Sequence, residues 1–183
     1  MIRDPKFYAL LGIAVLLSLI LVVLLADRGV VAPPEPQPAP YSTGDRLEGT
    51  DPVLCIEDHT SGFPVAQAAA EFEGLVRMVV EDDCSGQPNA VLVALVIRDD
   101  ESWSGWYNGP NPSRDGAALI SLNVAEAFRL DARGWRMVLV HELGHAAGLD
   151  HTFEGESVMD PLDYSDHDGL TESDRRQLAE MYG

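Results

Sequence analysis

Residues 141–151, which read HELGHAAGLDH, constrain this chain more than any other stretch. His141 and His145 are four residues apart, so on a helix they lie on one face and can bind the same metal ion. Gly148 can end that helix with a positive φ, and the reversed chain can bring His151 back as a third ligand. Three histidines with one open position are the ligand set of a catalytic zinc ion. Glu142 lies beside them and can take a proton from the zinc-bound water.

The spacing matches H-E-x-x-H-x-x-G-x-x-H, so the chain resembles the metzincin zinc peptidases. Metzincins also have a methionine turn, and residues 157–161 read SVMDP. The resemblance implies that Met159 forms an apolar floor beneath the metal without being a ligand. Pro161, two residues after the methionine, and the ending at residues 170–183 are similar to the matrixins. The resemblance is specific over residues 131–183 and only architectural over the rest of the domain.

This resemblance implies a function and a fold. The function is that of a zinc-dependent endopeptidase, which hydrolyses peptide bonds of a protein or peptide substrate with a zinc-bound water and Glu142 as general base. The fold is α+β, with a twisted, mixed, mostly parallel β-sheet, two long helices and a C-terminal helix. Pro161 and Tyr164 can line the pocket for the side chain after the scissile bond. Matrixins have Pro-x-Tyr at this place, whereas this chain has one more residue between the two.

An acidic turn follows the methionine turn. It contains Asp163, Asp166 and Asp168, and only part of a calcium-loop spacing is present. Matrixins bind structural calcium, so these residues can hold Ca²⁺, or they can form a solvated turn.

Two other functions are consistent with the same motif. If Asp150 or Asp160 filled the fourth position on the zinc, the metal would be structural and the chain a non-catalytic, membrane-tethered binding module. Zinc hydrolysis of an amide in a cell-wall component is the other alternative.

The N-terminal part differs in composition from the rest. Residues 7–26 are uncharged and long enough to span a bilayer as a transmembrane helix. Arg3 and Lys6 precede them, so the positive-inside rule places residues 1–6 in the cytoplasm and the domain outside. A cleaved signal peptide is the alternative and would give a secreted protein, but residues 24–26 offer only one small residue for cleavage. We expect a single-pass protein with an uncleaved signal anchor.

A proline-rich segment follows the apolar run. Prolines at positions 33, 34, 36, 38 and 40 favour the extended polyproline II conformation. We therefore interpret residues 27–50 as a semi-rigid stalk and residues 51–183 as the zinc metallopeptidase domain.

Hydrophobic patterns predict the elements of the domain. Residues 65–82 are predicted to form an amphipathic helix, because apolar side chains recur at steps of three and four. Asp131 is a suitable N-cap for the helix that carries the histidines. Residues 125–130 can form a short helix. Strands are predicted at residues 52–56, 90–97 and 117–124.

Aromatic side chains cluster in the loop-like segment 102–116. Trp103, Trp106 and Tyr107 can form a lid over the core or a platform for substrate. Residues 103–107 can also form an edge strand, and in metzincins an edge strand above the zinc pairs with the extended substrate.

Cysteine content and charge limit the partners. Cys55 and Cys84 are the two cysteines of the chain, and outside the cytoplasm a disulfide between them would persist, two free thiols being the alternative. The formal net charge is −18 at pH 7, which opposes binding to nucleic acid or to anionic lipid surfaces. We expect a monomer that contacts the membrane only through its N-terminal helix.

Overall fold

A computed structural model describes residues 46–126, 129–153, 156–161 and 167–183. It contains a five-stranded sheet in the order β2-β1-β3-β5-β4. β2, β1, β3 and β5 run parallel to one another, and β4 is antiparallel to β5. The strands are β1 (Val53–Asp58), β2 (Arg77–Glu81), β3 (Ala90–Val96), β4 (Gly105–Asn108) and β5 (Ala118–Asn123), and the helices are α1 (Val65–Ala70), α2 (Ala132–Ala146) and α3 (Glu172–Tyr182). The predicted α+β class with a mixed, mostly parallel sheet is confirmed.

One face of the sheet carries the main hydrophobic core. Ile56 pairs with Val91 and Val93 pairs with Ile120, and all four side chains are fully buried. They share one face because side chains alternate along a strand. Leu139 and Leu143 of α2 belong to the same cluster. Burial of each such side chain contributes about 1.5–3 kcal/mol, so α2 is held firmly against the sheet.

The opposite face has a smaller cluster around a disulfide. Cys55 on β1 is bonded to Cys84 in the loop after β2, with their Cα atoms 5.8 Å apart. Ala90 and Ala117 are buried with the two sulfurs. The disulfide therefore fastens the loop that follows β2 onto the first strand.

The prediction of one helix over residues 65–82 is wrong in extent, because only its first part is helical. α1 ends at Ala70, and the chain turns through Gly74, which has φ +78°. Residues Arg77–Glu81 then form β2, where Val79 pairs with Cys55 of β1. This segment forms a strand because β-branched valines suit a pleated surface. As a strand it also supplies hydrogen-bond partners to the backbone of β1, which a helix could not do. Of the two long helices expected before the C-terminal helix, only α2 is long.

Most of the other predicted elements are confirmed. The three strands predicted at residues 52–56, 90–97 and 117–124 correspond to β1, β3 and β5, and the proposed edge strand corresponds to β4. In place of a helix at 125–130, the described residues form a single 3-10 turn at Val124–Glu126. Asp131 caps α2 by accepting the N–H of Gly134 at 2.8 Å.

The segment before β1 packs on the domain. Leu47 belongs to the main core, and its N–H donates to the hydroxyl of Tyr182 at 3.0 Å. The N–H of Glu48 donates to the side-chain oxygen of Asn89 at 2.8 Å. Leu47 and Glu48, which the sequence assigned to the stalk, are therefore in contact with the compact domain.

The predicted membrane span at residues 7–26 lies outside the described part of the chain. Among the helices within it, none is long and apolar enough to cross a bilayer.

Candidate active site

The three histidines of the motif converge on one point. His141 and His145 project from the same face of α2, and Gly148 at φ +93° reverses the chain so that His151 returns to them. The Nε2 atom of His151 lies 3.1 Å from that of His141 and 3.0 Å from that of His145. The local sequence thus produces the arrangement that its spacing predicted.

Backbone carbonyls fix the orientation of two of the rings. The Nδ1 atom of His141 lies 2.8 Å from the carbonyl oxygen of Val158, and that of His145 lies 2.9 Å from the carbonyl oxygen of Leu149. A carbonyl can only accept, so each Nδ1 carries the proton and each Nε2 directs a lone pair to the common point.

Burial keeps these rings neutral. Desolvation lowers the pKa of His141 to about 3 and that of His145 to about 4, and it also lowers the pKa of His151. The neighbouring histidines lower the pKa of His141 further, whereas its bond to the Val158 carbonyl opposes the shift. Neutral imidazole is the form that binds metal.

This donor set fits a zinc ion. Ligands about 2 Å from one tetrahedral ion lie roughly 3.3 Å apart, close to the observed separations. The Nε2 lone pairs of the three histidines face one another without a proton between them, and a bound cation would relieve their mutual repulsion. In the part of the chain that the structure describes, the only cluster of candidate metal ligands consists of His141, His145 and His151. Neither Asp150 nor Asp160 belongs to it, so the cluster among the described residues supplies three ligands.

Glu142 is buried beside the histidines. It is 6% exposed, and its carboxylate accepts the backbone N–H of Tyr107 on β4. Burial raises the pKa of Glu142 to about 8, although the bond from Tyr107 opposes the shift. The ring of Tyr107 is stacked against His145, with centroids 6.1 Å apart. The edge strand β4 therefore contacts both the carboxylate and one of the three histidines.

Met159 packs under the histidine-bearing turn of α2. It is 1% exposed, and its sulfur would lie 2.5 Å from a Cβ atom at position 144. Gly144 thus allows the methionine to approach α2 between His141 and His145. The placement is consistent with the apolar floor that the sequence predicted.

Asp174 holds the methionine turn, a role that sequence reasoning missed. It is fully buried, accepts the hydroxyl of Ser157, and accepts the N–H of Val158 at 3.1 Å. It also accepts the N–H of Thr171 at 2.9 Å, as part of the capping box that starts α3. A threonine followed three residues later by an acidic residue is a helix-capping pattern, but the contact of Asp174 with the methionine turn depends on the fold.

The structure describes only part of the predicted pocket and of the predicted calcium site. Tyr164, Asp163 and Asp166 lie outside the described residues, so the pocket and the calcium site stay predictions. Asp168 accepts the Nε–H of Arg133 at 2.6 Å, and that arginine lowers the pKa of Asp168. Pro161 lies at the end of the methionine turn and is partly buried.

The tryptophans of the aromatic cluster lie apart from the centre. Trp106 pairs with Ser121, whereas its neighbours Gly105 and Tyr107 pair with core residues of β5 and face α2. Since side chains alternate along a strand, Trp106 faces away from the histidines. Its ring lies 6.0 Å from that of Trp103, so these two form a surface pair.

A comparison with known families agrees with this geometry. The family model of the matrixins, the M10 peptidases, matches residues 70–183. The match covers more than half of the chain and includes the three histidines, Glu142 and the methionine turn. With its convergent histidines and their fit to zinc, this chain belongs to the matrixin family of zinc metallopeptidases.

Proposed function

We propose that this protein is an endopeptidase in which Glu142 is the general base. The observation that carries the proposal is a buried carboxylate beside three convergent, neutral histidines, which leave the fourth position of a tetrahedral ion to a water molecule or the substrate. A site of this kind can hold a metal, admit a carbonyl group and move a proton within one small volume.

The residues divide the chemistry between them. His141, His145 and His151 hold the zinc, which when bound polarises the scissile carbonyl and makes water a better nucleophile at neutral pH. Glu142 takes a proton from the attacking water and gives it to the leaving amine nitrogen. Glu142 must be ionised for the first step, and a cation held by the three histidines would oppose the effect of burial on its pKa. The N–H of Tyr107 holds the carboxylate in place.

The free edge of β4 supports an extended peptide as substrate. The N–H of Asn123, at the end of β5, donates to the carbonyl of Ser104 at 2.9 Å, so Ser104 directs its backbone towards β5. In an antiparallel pair the alternate residues face the other way, so Gly105 directs its N–H and carbonyl, and Tyr107 its carbonyl, to the free edge. The N–H of Tyr107 is bonded to Glu142. A substrate strand can pair there, with Pro161 and Tyr164 lining the pocket for the residue after the scissile bond.

We also propose that residues 7–26 anchor the protein in a membrane with the domain outside the cytoplasm. The disulfide between Cys55 and Cys84 supports this location, because disulfides persist in oxidising compartments. A reporter enzyme that is active only outside the cytoplasm, fused after Gly183, is expected to be active. An inactive but intact fusion would contradict the proposed orientation.

The peptidase proposal is tested with the full chain, purified in detergent and loaded with one equivalent of zinc. Parent and Glu142→Gln are incubated with a diverse peptide library, and cleavage is identified by mass spectrometry. We expect cleavage by the parent alone, with equal zinc content in both proteins, because Glu142 is not a ligand. Glu180→Gln, an exposed change on α3, is the matched control and should cleave like the parent.

Two results would contradict the proposal. Cleavage by Glu142→Gln at the parental rate would exclude Glu142 as the base. No cleavage by a zinc-loaded parent would favour a non-catalytic binding module, or an amidase that can be assayed with cell-wall fragments.

A further inference from the structure

The edge strand β4 approaches α2 at a residue that has no room for a side chain. A Cβ atom on Gly105 would lie 2.6 Å from the Oε1 atom of Glu142, 2.9 Å from its Cγ atom and 2.6 Å from the Cγ1 atom of Val138. Real Cβ contacts are longer than these. Gly105 does not have a positive φ, so space and not backbone conformation is what requires glycine here.

The backbone next to Gly105 holds the same carboxylate from another side. Gly105 pairs with Leu122 and Tyr107 pairs with Ile120, both buried in the core beneath α2. The two residues therefore share the face of β4 that lies against α2. The N–H of Tyr107 belongs to the free edge of the strand and donates to Glu142.

We propose that Gly105 is a positioning residue for Glu142. Its bare Cα atom lets β4 lie against α2, and the Glu142 carboxylate is thereby held between this Cα atom and the N–H of Tyr107. The inference rests on the proposed function only for what Glu142 then does. A side chain at position 105 must displace the carboxylate, the strand or Val138, and displacement of the carboxylate breaks its bond to Tyr107.

The chain offers variants that separate these effects. The methyl group of Gly105→Ala clashes with both Val138 and Glu142. In the double variant Gly105→Ala/Val138→Ala, the clash with Val138 is removed and the clash with Glu142 remains. Val138→Ala alone reports the cost of the lost methyl groups. Gly109→Ala is the matched control, because a Cβ atom at that position, just after the same strand, has nothing within 4 Å.

Two measurements are made on the full chain in detergent. The first is the amide resonance of Tyr107 in the metal-free protein, with Glu142→Ala as the reference for a broken bond. The second is kcat and KM for a cleaved peptide after zinc loading, with zinc content checked. For the double variant we expect a Tyr107 resonance close to that of Glu142→Ala and a kcat lowered by about 10–100-fold, since small misplacement of a reacting group is costly. We expect KM to stay within about threefold.

Val138→Ala and Gly109→Ala should keep both the parental resonance and the parental kcat. If the double variant regains the parental kcat, Gly105 serves only to accommodate Val138 and the proposal is overturned. A Tyr107 resonance that does not move, or one that moves without a loss of kcat, also overturns it. If the parent cleaves no peptide, the proposed function fails, while the resonance still decides whether Gly105 positions Glu142.

Discussion

The two ends of the sheet, called here the β4 side and the β2 side, are stabilised by different interactions. On the β4 side, α2, the edge strand and the methionine turn surround buried ionisable groups, among them His141, Glu142 and Asp174. On the β2 side, apolar contacts between α1 and the sheet are combined with the disulfide of Cys55 and Cys84. Buried polar groups are costly unless each is paired, whereas apolar burial and a disulfide stabilise directly. A change on the β2 side is therefore expected to alter stability without altering the chemistry.

The two edge strands differ in the same way. β2 has exposed charged residues, Arg77 and Glu81, at its two ends, which discourages the addition of another strand. β4 reads GWYN and carries no charge, and its free edge lies beside the histidines. We therefore expect the proposed substrate strand to pair with the β4 edge and not with the β2 edge.

The largest effect on stability is expected at Asp174, on the β4 side. Replacement by alanine removes the acceptor for Ser157, Val158 and Thr171 in a fully buried place. We expect Asp174→Ala to lower the free energy of unfolding by about 3–4 kcal/mol, measured by urea denaturation of the zinc-free protein. Glu180→Ala, exposed on the same helix, should change it by less than about 0.5 kcal/mol. A loss below about 1 kcal/mol for Asp174→Ala would show that the methionine turn is held by other contacts.

The disulfide tests the β2 side. Cys55→Ala with Cys84→Ala opens a loop closed over 29 residues, and we expect a loss of about 3 kcal/mol in the free energy of unfolding. Zinc content and kcat/KM should be unchanged below the unfolding temperature. A large loss of kcat/KM in the folded variant would contradict the separation of the two sides.

The buried groups of the β4 side predict how the stability of the zinc-free protein depends on pH. Below pH 6.5, His141 and His145 bind protons in the unfolded chain but stay neutral in the folded protein, so the free energy of unfolding falls as the pH is lowered. At pH 5 the loss is about 2 kcal/mol per histidine. Above pH 4.5 the unfolded chain releases a proton that Glu142 retains up to about pH 8, so stability falls towards that pH. Below pH 6.5 the effect of the two histidines on the free energy of unfolding is larger than the opposite effect of the one glutamate. The free energy of unfolding should therefore be greatest near pH 6.5.

Thermal unfolding across pH 4–9, with and without zinc, measures this dependence. Zinc should move the maximum to higher pH, because it favours neutral histidine and ionised glutamate. An unchanged profile in Glu142→Gln would contradict the assignment of the alkaline limb.

The sequence predicted the β4 side better than the β2 side, and the reason is physical. His141, His145 and His151 are placed by a helix and one glycine turn, so their spacing alone determines the geometry. Residues 65–82 have apolar positions that suit a helix, but Val79 and Val80 belong to a strand that forms only because β1 lies next to it. Gly74, with its positive φ, was the local signal for a break.

The contacts of Glu142 could not be predicted from the sequence, because they also depend on pairing between distant segments. Its bond to Tyr107 and its contact with Gly105 join segments more than thirty residues apart, through the register of β4 on β5. A motif shows which side chain can act as a base, whereas long-range pairing decides what holds it.

The smallest effect is expected at the β2 edge itself. Val80 is 40% exposed there, so a charged side chain can reach water from this position. We expect Val80→Lys to change the free energy of unfolding by no more than about 0.5 kcal/mol and to leave kcat/KM unchanged. Urea denaturation and peptide cleavage measure the two quantities, with Val80→Thr as the uncharged control. If Val80→Lys alone reduced cleavage, the β2 edge would also contact substrate, and the assignment of strand addition to β4 alone would be wrong.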